Sequence, residues 1–75
     1  MVVLDPDLPV PLWKQLADIL AQHIESGEYT GKLPSAKTLA QEYEVSHKTS
    51  EHALQSLKEQ GLVAAVKGLG YFVKR

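Results

Sequence analysis

Residues 33–63 read LPSAKTLAQEYEVSHKTSEHALQSLKEQGLV, and this stretch decides the fold. Ser35 opens a short helical pattern in which Leu39, Ala40 and Tyr43 recur on one side. A serine there can accept a hydrogen bond from a free N–H of the first turn, which is how helices start. Glu44-Val45 breaks the pattern, and Ser46 is a second serine in the same capping position. From it a longer helix runs to about Gln60, with Ala53, Leu54 and Leu57 as the buried side and Gly61 as the stop. Short helix, tight turn, longer helix is the expected order.

Upstream, Leu12, Trp13, Leu16, Ile19, Leu20, His23 and Ile24 recur at three- and four-residue spacing. This predicts a helix over about 12–26, started by Pro11 and ended by Gly27. Residues 27–34, GEYTGKLP, read as a loop. Residues 1–10, with Pro6 and Pro9, read as an extended N-terminal arm, because proline keeps the residue before it out of helical geometry. Downstream, Leu62–Val66 and Tyr71–Lys74 are short β-prone runs around Lys67-Gly68-Leu69-Gly70, which predicts a hairpin. The expected fold is mainly α with a small β-hairpin. Its order is α-α-α-β-wing-β, a winged helix-turn-helix, to which a short extra N-terminal strand can be added. The domain is expected to span residues 11–75.

Composition narrows the function. Seventy-five residues make one small domain with a modest core, and 44% apolar with 23% charged residues is ordinary for a globular chain. The absence of cysteine excludes disulfides and thiolate catalysis and fits a cytoplasmic setting. MVVLDPDLPVPL is acidic and broken by prolines, unlike a signal peptide or a membrane span. Net charge is -1, which speaks against a strong nucleic-acid binder, but the distribution is uneven. Residues 1–31 hold one lysine against five acids, whereas residues 32–75 hold seven Lys or Arg against four acids. The second half can face phosphate while the first repels it.

The segments Leu33–Ala40, Val45–Thr49, Ala53-Leu54 with Leu57, Gly61–Val63 and Gly68–Val73, together with Pro11–Leu16 and Ile24–Gly27, resemble the DNA-binding domain of GntR-family bacterial regulators. The resemblance covers roughly residues 10–73. It implies a regulator that binds double-stranded DNA, with the second helix of the motif in the major groove and the wing at the flanking minor groove. It also implies a homodimer on a palindromic operator, a repressor's role, and a separate C-terminal domain for a small-molecule effector. The chain is then the N-terminal part of a longer regulator, the alternative being a minimal protein. Three positions depart from the family's pattern. The arginine usual after the serine of the third helix is His47, the one four residues later is Glu51, and the acid-arginine pair after Leu-Pro-Ser is Ala36-Lys37. Neither His47 nor Glu51 can copy the guanidinium fork that reads guanine, so the operator does not carry over.

The candidate DNA-binding residues are Ser35, Lys37, Ser46, His47, Lys48, Thr49, Glu51, His52, Lys67, Gly68, Leu69 and Gly70. Ser46 and Thr49 sit where hydroxyls and free N–H groups meet phosphate oxygens. Lys37 is placed to do the same on the flanking strand. His47, Lys48 and His52 face bases or backbone, and Glu51 can accept from a cytosine amino group. Lys67 supplies charge beside a wing tip that Gly68 and Gly70 let approach closely.

His47, Lys48 and His52 can be a solvated surface, and His23 is expected as a partly buried, hydrogen-bonded histidine. Trp13 is expected in the core or at a dimer contact, with stacking on a base as the alternative. Three scattered histidines without cysteine argue against a metal, and no cofactor is expected. Gly68-Leu69-Gly70 opens no helix, so it is not a phosphate loop, and Ser35, Ser46 and Ser50 lack a nucleophile elbow, so an enzyme is not expected. The second functional reading is a winged-helix module for protein–protein contact.

Overall fold

A computed structural model describes residues 4, 5 and 7–74. Three helices, α1 (Leu12–Ser26), α2 (Ala36–Tyr43) and α3 (His47–Glu59), precede strands β1 (Val63–Val66) and β2 (Gly70–Val73). The winged helix-turn-helix order is therefore as expected. Met1–Val3, Pro6 and Arg75, which belong to the expected arm and domain, lie outside the described residues.

The helix ends follow from capping chemistry. Pro11 is the cap of α1 and not its first turn: its ψ of 147° is extended, and its carbonyl accepts the N–H groups of Lys14 and Gln15, each at 3.1 Å. Gly27 ends α1 at φ +89°, and the N–H of Glu28 returns to the His23 carbonyl at 2.9 Å. Ser35 Oγ accepts from Thr38 N–H at 3.2 Å, and Ser46 Oγ accepts from Thr49 N–H at 3.1 Å. Between these capped helices Glu44 takes a left-handed φ of 55°, an uncommon state for a side-chain-bearing residue. It makes the turn tight enough for α2 and α3 to share one core. That core is Leu16, Ala17, Leu20, Leu33, Leu39, Ala53, Leu54, Leu57 and Val63, contributed by every helix, by the loop before α2 and by β1.

The wing is an antiparallel hairpin in the register Val63↔Val73, Ala64↔Phe72, Ala65↔Tyr71, Val66↔Gly70. β1 begins one residue later than expected, after Leu62, and ends at Val66 as expected, whereas β2 is displaced by one residue, from Gly70 to Val73. The ladder can begin at Gly70 because its φ of +112° carries the chain out of the turn without a Cβ clash.

Two further differences come from contacts that local pattern does not encode. The loop before α2 supplies a third strand position: Lys32 bridges Phe72, Leu33 N–H donates to the Tyr71 carbonyl at 2.9 Å, and Val73 N–H donates to the Gly31 carbonyl at 2.8 Å. The extra pairing thus lies between α1 and α2, and residues 4, 5 and 7–10 form no strand. Nor are those residues an outstretched arm. Leu4 packs on the core, and Gln15 clips the segment to α1 by accepting from Asp5 N–H and donating to the carbonyls of Asp5 and Val10, all at 2.8 Å.

Candidate nucleic-acid interface

The two capping serines do more than start helices. Ser46 Oγ lies 2.8 Å from Thr49 Oγ1 as well as accepting the Thr49 N–H, and Ser35 stands in the same relation to Thr38 at 3.0 Å. A hydroxyl has two lone pairs and one proton. One hydroxyl of each pair donates to the other, so each pair keeps one proton for an outside acceptor such as a phosphate oxygen. Thr38 was not among the residues singled out from sequence, and the capping geometry is the signal that finds it. Lys37 is exposed on the first turn of α2 beside this pair.

On the first turns of α3, His47, Lys48, Glu51 and His52 are exposed and Thr49 is half-buried. His47 Nε2 is 3.3 Å from Glu51 Oε1, and both side chains keep about 60% of their surface open. The carboxylate that breaks the arginine pattern is therefore not alone, because the residue that breaks it at the other position stands against it. Lys48, Glu51, His52 and Gln55 line a shallow open depression along the helix. Gln55 belongs to this stripe by its four-residue spacing from Glu51 and was not singled out from sequence.

His52 has a second contact from another element. Trp13 of α1 stacks on its imidazole with ring centroids 4.0 Å apart and planes 17° from parallel. Trp13 is half-buried and stands outside the core cluster, so the expected core position does not hold. At the wing, Lys67, Gly68, Leu69 and Gly70 are all exposed, and Leu69 leaves 58% of its surface open. The Lys32 stem reaches to within 3.6 Å of where a Cβ on Gly70 would lie, which puts a second cation beside the wing. Lys32 was missed from sequence because nothing local ties residue 32 to residue 70.

His23 is half-buried as expected but lacks the expected hydrogen bond. Its Nδ1 is 3.4 Å from Glu28 Oε2, close enough for ion pairing and out of line for a hydrogen bond, while the ring tilts against Tyr29. Tyr29 and Tyr43, both packed on the core, have hydroxyl pKa values raised by burial first and by nearby negative charge second. Among the described residues no three His, Cys, Asp or Glu side chains cluster as metal ligands, and no helix is long and apolar enough to cross a membrane.

Known proteins share this architecture. The sequence profile of bacterial regulatory proteins of the gntR family matches residues 12–73. An HTH-type transcriptional regulator of Rhizobium meliloti, RB1450, is 40% identical over 75 residues, and the HTH-type transcriptional repressor NagR of Bacillus subtilis is 33% identical over 69. These alignments cover 97% and 89% of this chain but only 31% and 28% of the relatives, so the chain spans about a third of their length. The GntR-family transcription factor YtrA from Sulfolobus acidocaldarius superposes with a TM-score of 0.86 at 32% identity, over 96% of this chain and 78% of that one. The DNA-binding domain of AraR in complex with operator ORR3 gives 0.83 at 29% identity, over 99% of this chain and 92% of its own. With its helices, turn and wing all inside the matched segment, the chain belongs to the gntR family of bacterial regulatory proteins and has that family's winged-helix fold.

Proposed function

We propose that this domain binds double-stranded DNA in transcription regulation, with α3 in the major groove and the wing along the flanking minor groove. The likeness to an AraR domain captured on its operator carries the reading. Supporting it are the exposed α3 face, the two serine–threonine pairs with hydroxyl protons to spare, and cations at Lys32, Lys37, Lys48 and Lys67. The contact set is Ser35, Lys37, Ser46, His47, Lys48, Thr49, Glu51, His52 and the wing residues Lys67–Gly70. Positioning contacts go to phosphates and carry no sequence information, whereas the edges of His47, Lys48, Glu51 and His52 discriminate bases. A single domain with so few cations binds weakly. Two copies on a palindrome double the contacts, so the working unit is a homodimer whose further domain senses a small-molecule effector. In this reading the chain is the N-terminal part of a cytoplasmic repressor, residues 11–75 forming the reader, without catalytic activity or cofactor.

Titration of the domain against random duplex DNA at several salt concentrations tests this. Affinity should fall steeply with salt as phosphates are neutralised, and absence of binding at about 50 mM salt would sink the reading. The exposed Glu51 carboxylate and the net charge of -1 favour a second one, a protein-contact module. It gains if the DNA titration is silent.

A further inference from the structure

We propose that Trp13 is a positioning residue for base recognition: α1 holds the imidazole of His52 in the plane from which it reads DNA. The inference rests on the DNA-binding reading above.

Trp13 is the second residue of α1, yet it does not join Leu16, Ala17 and Leu20 in the core. Its ring stacks on His52 with centroids 4.0 Å apart. His52 stands on the exposed stripe of α3 with Lys48, Glu51 and Gln55. An exposed histidine has three staggered χ1 wells and a broad χ2, so unsupported it points in many directions. An indole lying almost parallel to it selects one plane and leaves the ring edge, with its two nitrogens, clear of the indole face. Those nitrogens are a donor and an acceptor when the ring is neutral and two donors when it is charged, the groups that meet base edges. Ordering one side chain before binding is worth about 2- to 10-fold in affinity. A stack that served only to fasten α1 to α3 would change stability and nothing else.

The experiment begins by selecting the preferred duplex of the wild-type domain from a randomised pool. Affinities are then measured for that duplex and its single-base variants, using wild type, Trp13→Phe, Trp13→Leu, His52→Ala and the double variant Trp13→Leu/His52→Ala. His52→Ala should flatten the preference at one base pair. Trp13→Leu should reduce it at the same base pair by about 2- to 10-fold, add nothing in the His52→Ala background, and be rescued in Trp13→Phe. An equal loss for every duplex, or the same loss in both backgrounds, overturns the inference. Should Trp13→Leu fail to fold, His52→Phe decides: it keeps the stack but has no ring N–H, so a retained preference overturns the proposal. A wild-type domain that binds no duplex removes the DNA-binding reading itself, and this inference with it.

Discussion

His47 and Glu51 stand one turn apart on α3 with Nε2 and Oε1 separated by 3.3 Å, so this exposed helix face carries a paired acid and base. Near phosphates the carboxylate is repelled by about 1 kcal/mol per charge at 4 Å in water, roughly a fivefold effect. Glu51→Gln should therefore tighten binding to random duplex by about fivefold at low salt, fading as salt rises. If the proposed interface holds, His47→Ala should shift the preferred base and weaken binding, since it would remove a base contact and leave the Glu51 carboxylate without its partner. Competition titrations read both effects, and an affinity that ignores Glu51→Gln would place this face away from DNA.

The cations beside the wing should behave differently from the histidines. Lys67→Ala and Lys32→Ala are expected to weaken all duplexes alike, each lowering the salt slope by about one. The Lys32 effect is the sharper test, because its place at the wing rests on the 3.6 Å approach of its stem to the Gly70 Cβ position. A Lys32→Ala slope equal to wild type would mean that its ammonium faces solvent in the complex.

Glu44 offers a stability test free of DNA. It holds φ +55° without being glycine, at a cost of roughly 1–2 kcal/mol. Glycine removes that strain but loses about 0.5–1 kcal/mol of chain entropy on folding. The difference favours Glu44→Gly by up to about 1.5 kcal/mol, each kcal/mol being worth roughly 4–8 °C in Tm for a domain of this size. A melt that shows Glu44→Gly to be less stable would mean that the carboxylate contributes more than its backbone costs.

The tyrosine pair predicts a loss of stability at alkaline pH. Burial, followed by Tyr43, Glu42 and Glu28, raises the pKa of Tyr29, and burial followed by Glu42 and Glu28 raises that of Tyr43. Below the ordinary value of about 10 both states are neutral and stability is insensitive to these groups. Above it the unfolded chain ionises first, so stability should drain away until the folded tyrosines also ionise. Thermal melts between pH 8 and 11 should show this decline, and Tyr43→Phe should make it shallower. An equally steep decline in Tyr43→Phe would assign it to other groups.

What was legible in the chain was what local chemistry controls. Leu12–Ser26 follows from apolar spacing and Gly27, and the start of α3 follows from Ser46. Pro11 starts α1 as its cap, a role that only its extended ψ distinguishes from that of a first helical residue. Of the candidate site, the exposed residues of α3 and the wing were legible from pattern. The Trp13–His52 stack, the Gln15 clip and the Lys32–Phe72 bridge were not. Each joins residues that meet only after the helices have packed, and one sequence carries no periodic trace of such meetings.

The bridge between Lys32 and Phe72 also orders events in time. Closing a pairing between residues so distant in the chain is entropically costly until the intervening helices have collapsed. The third strand position should therefore be the last to settle during folding and the first to part during native-state fluctuation. The amides of Leu33 and Val73, which bond to Tyr71 and Gly31, report on it directly. Hydrogen exchange at these two amides is a clock for the wing, separate from the one that the buried helices keep.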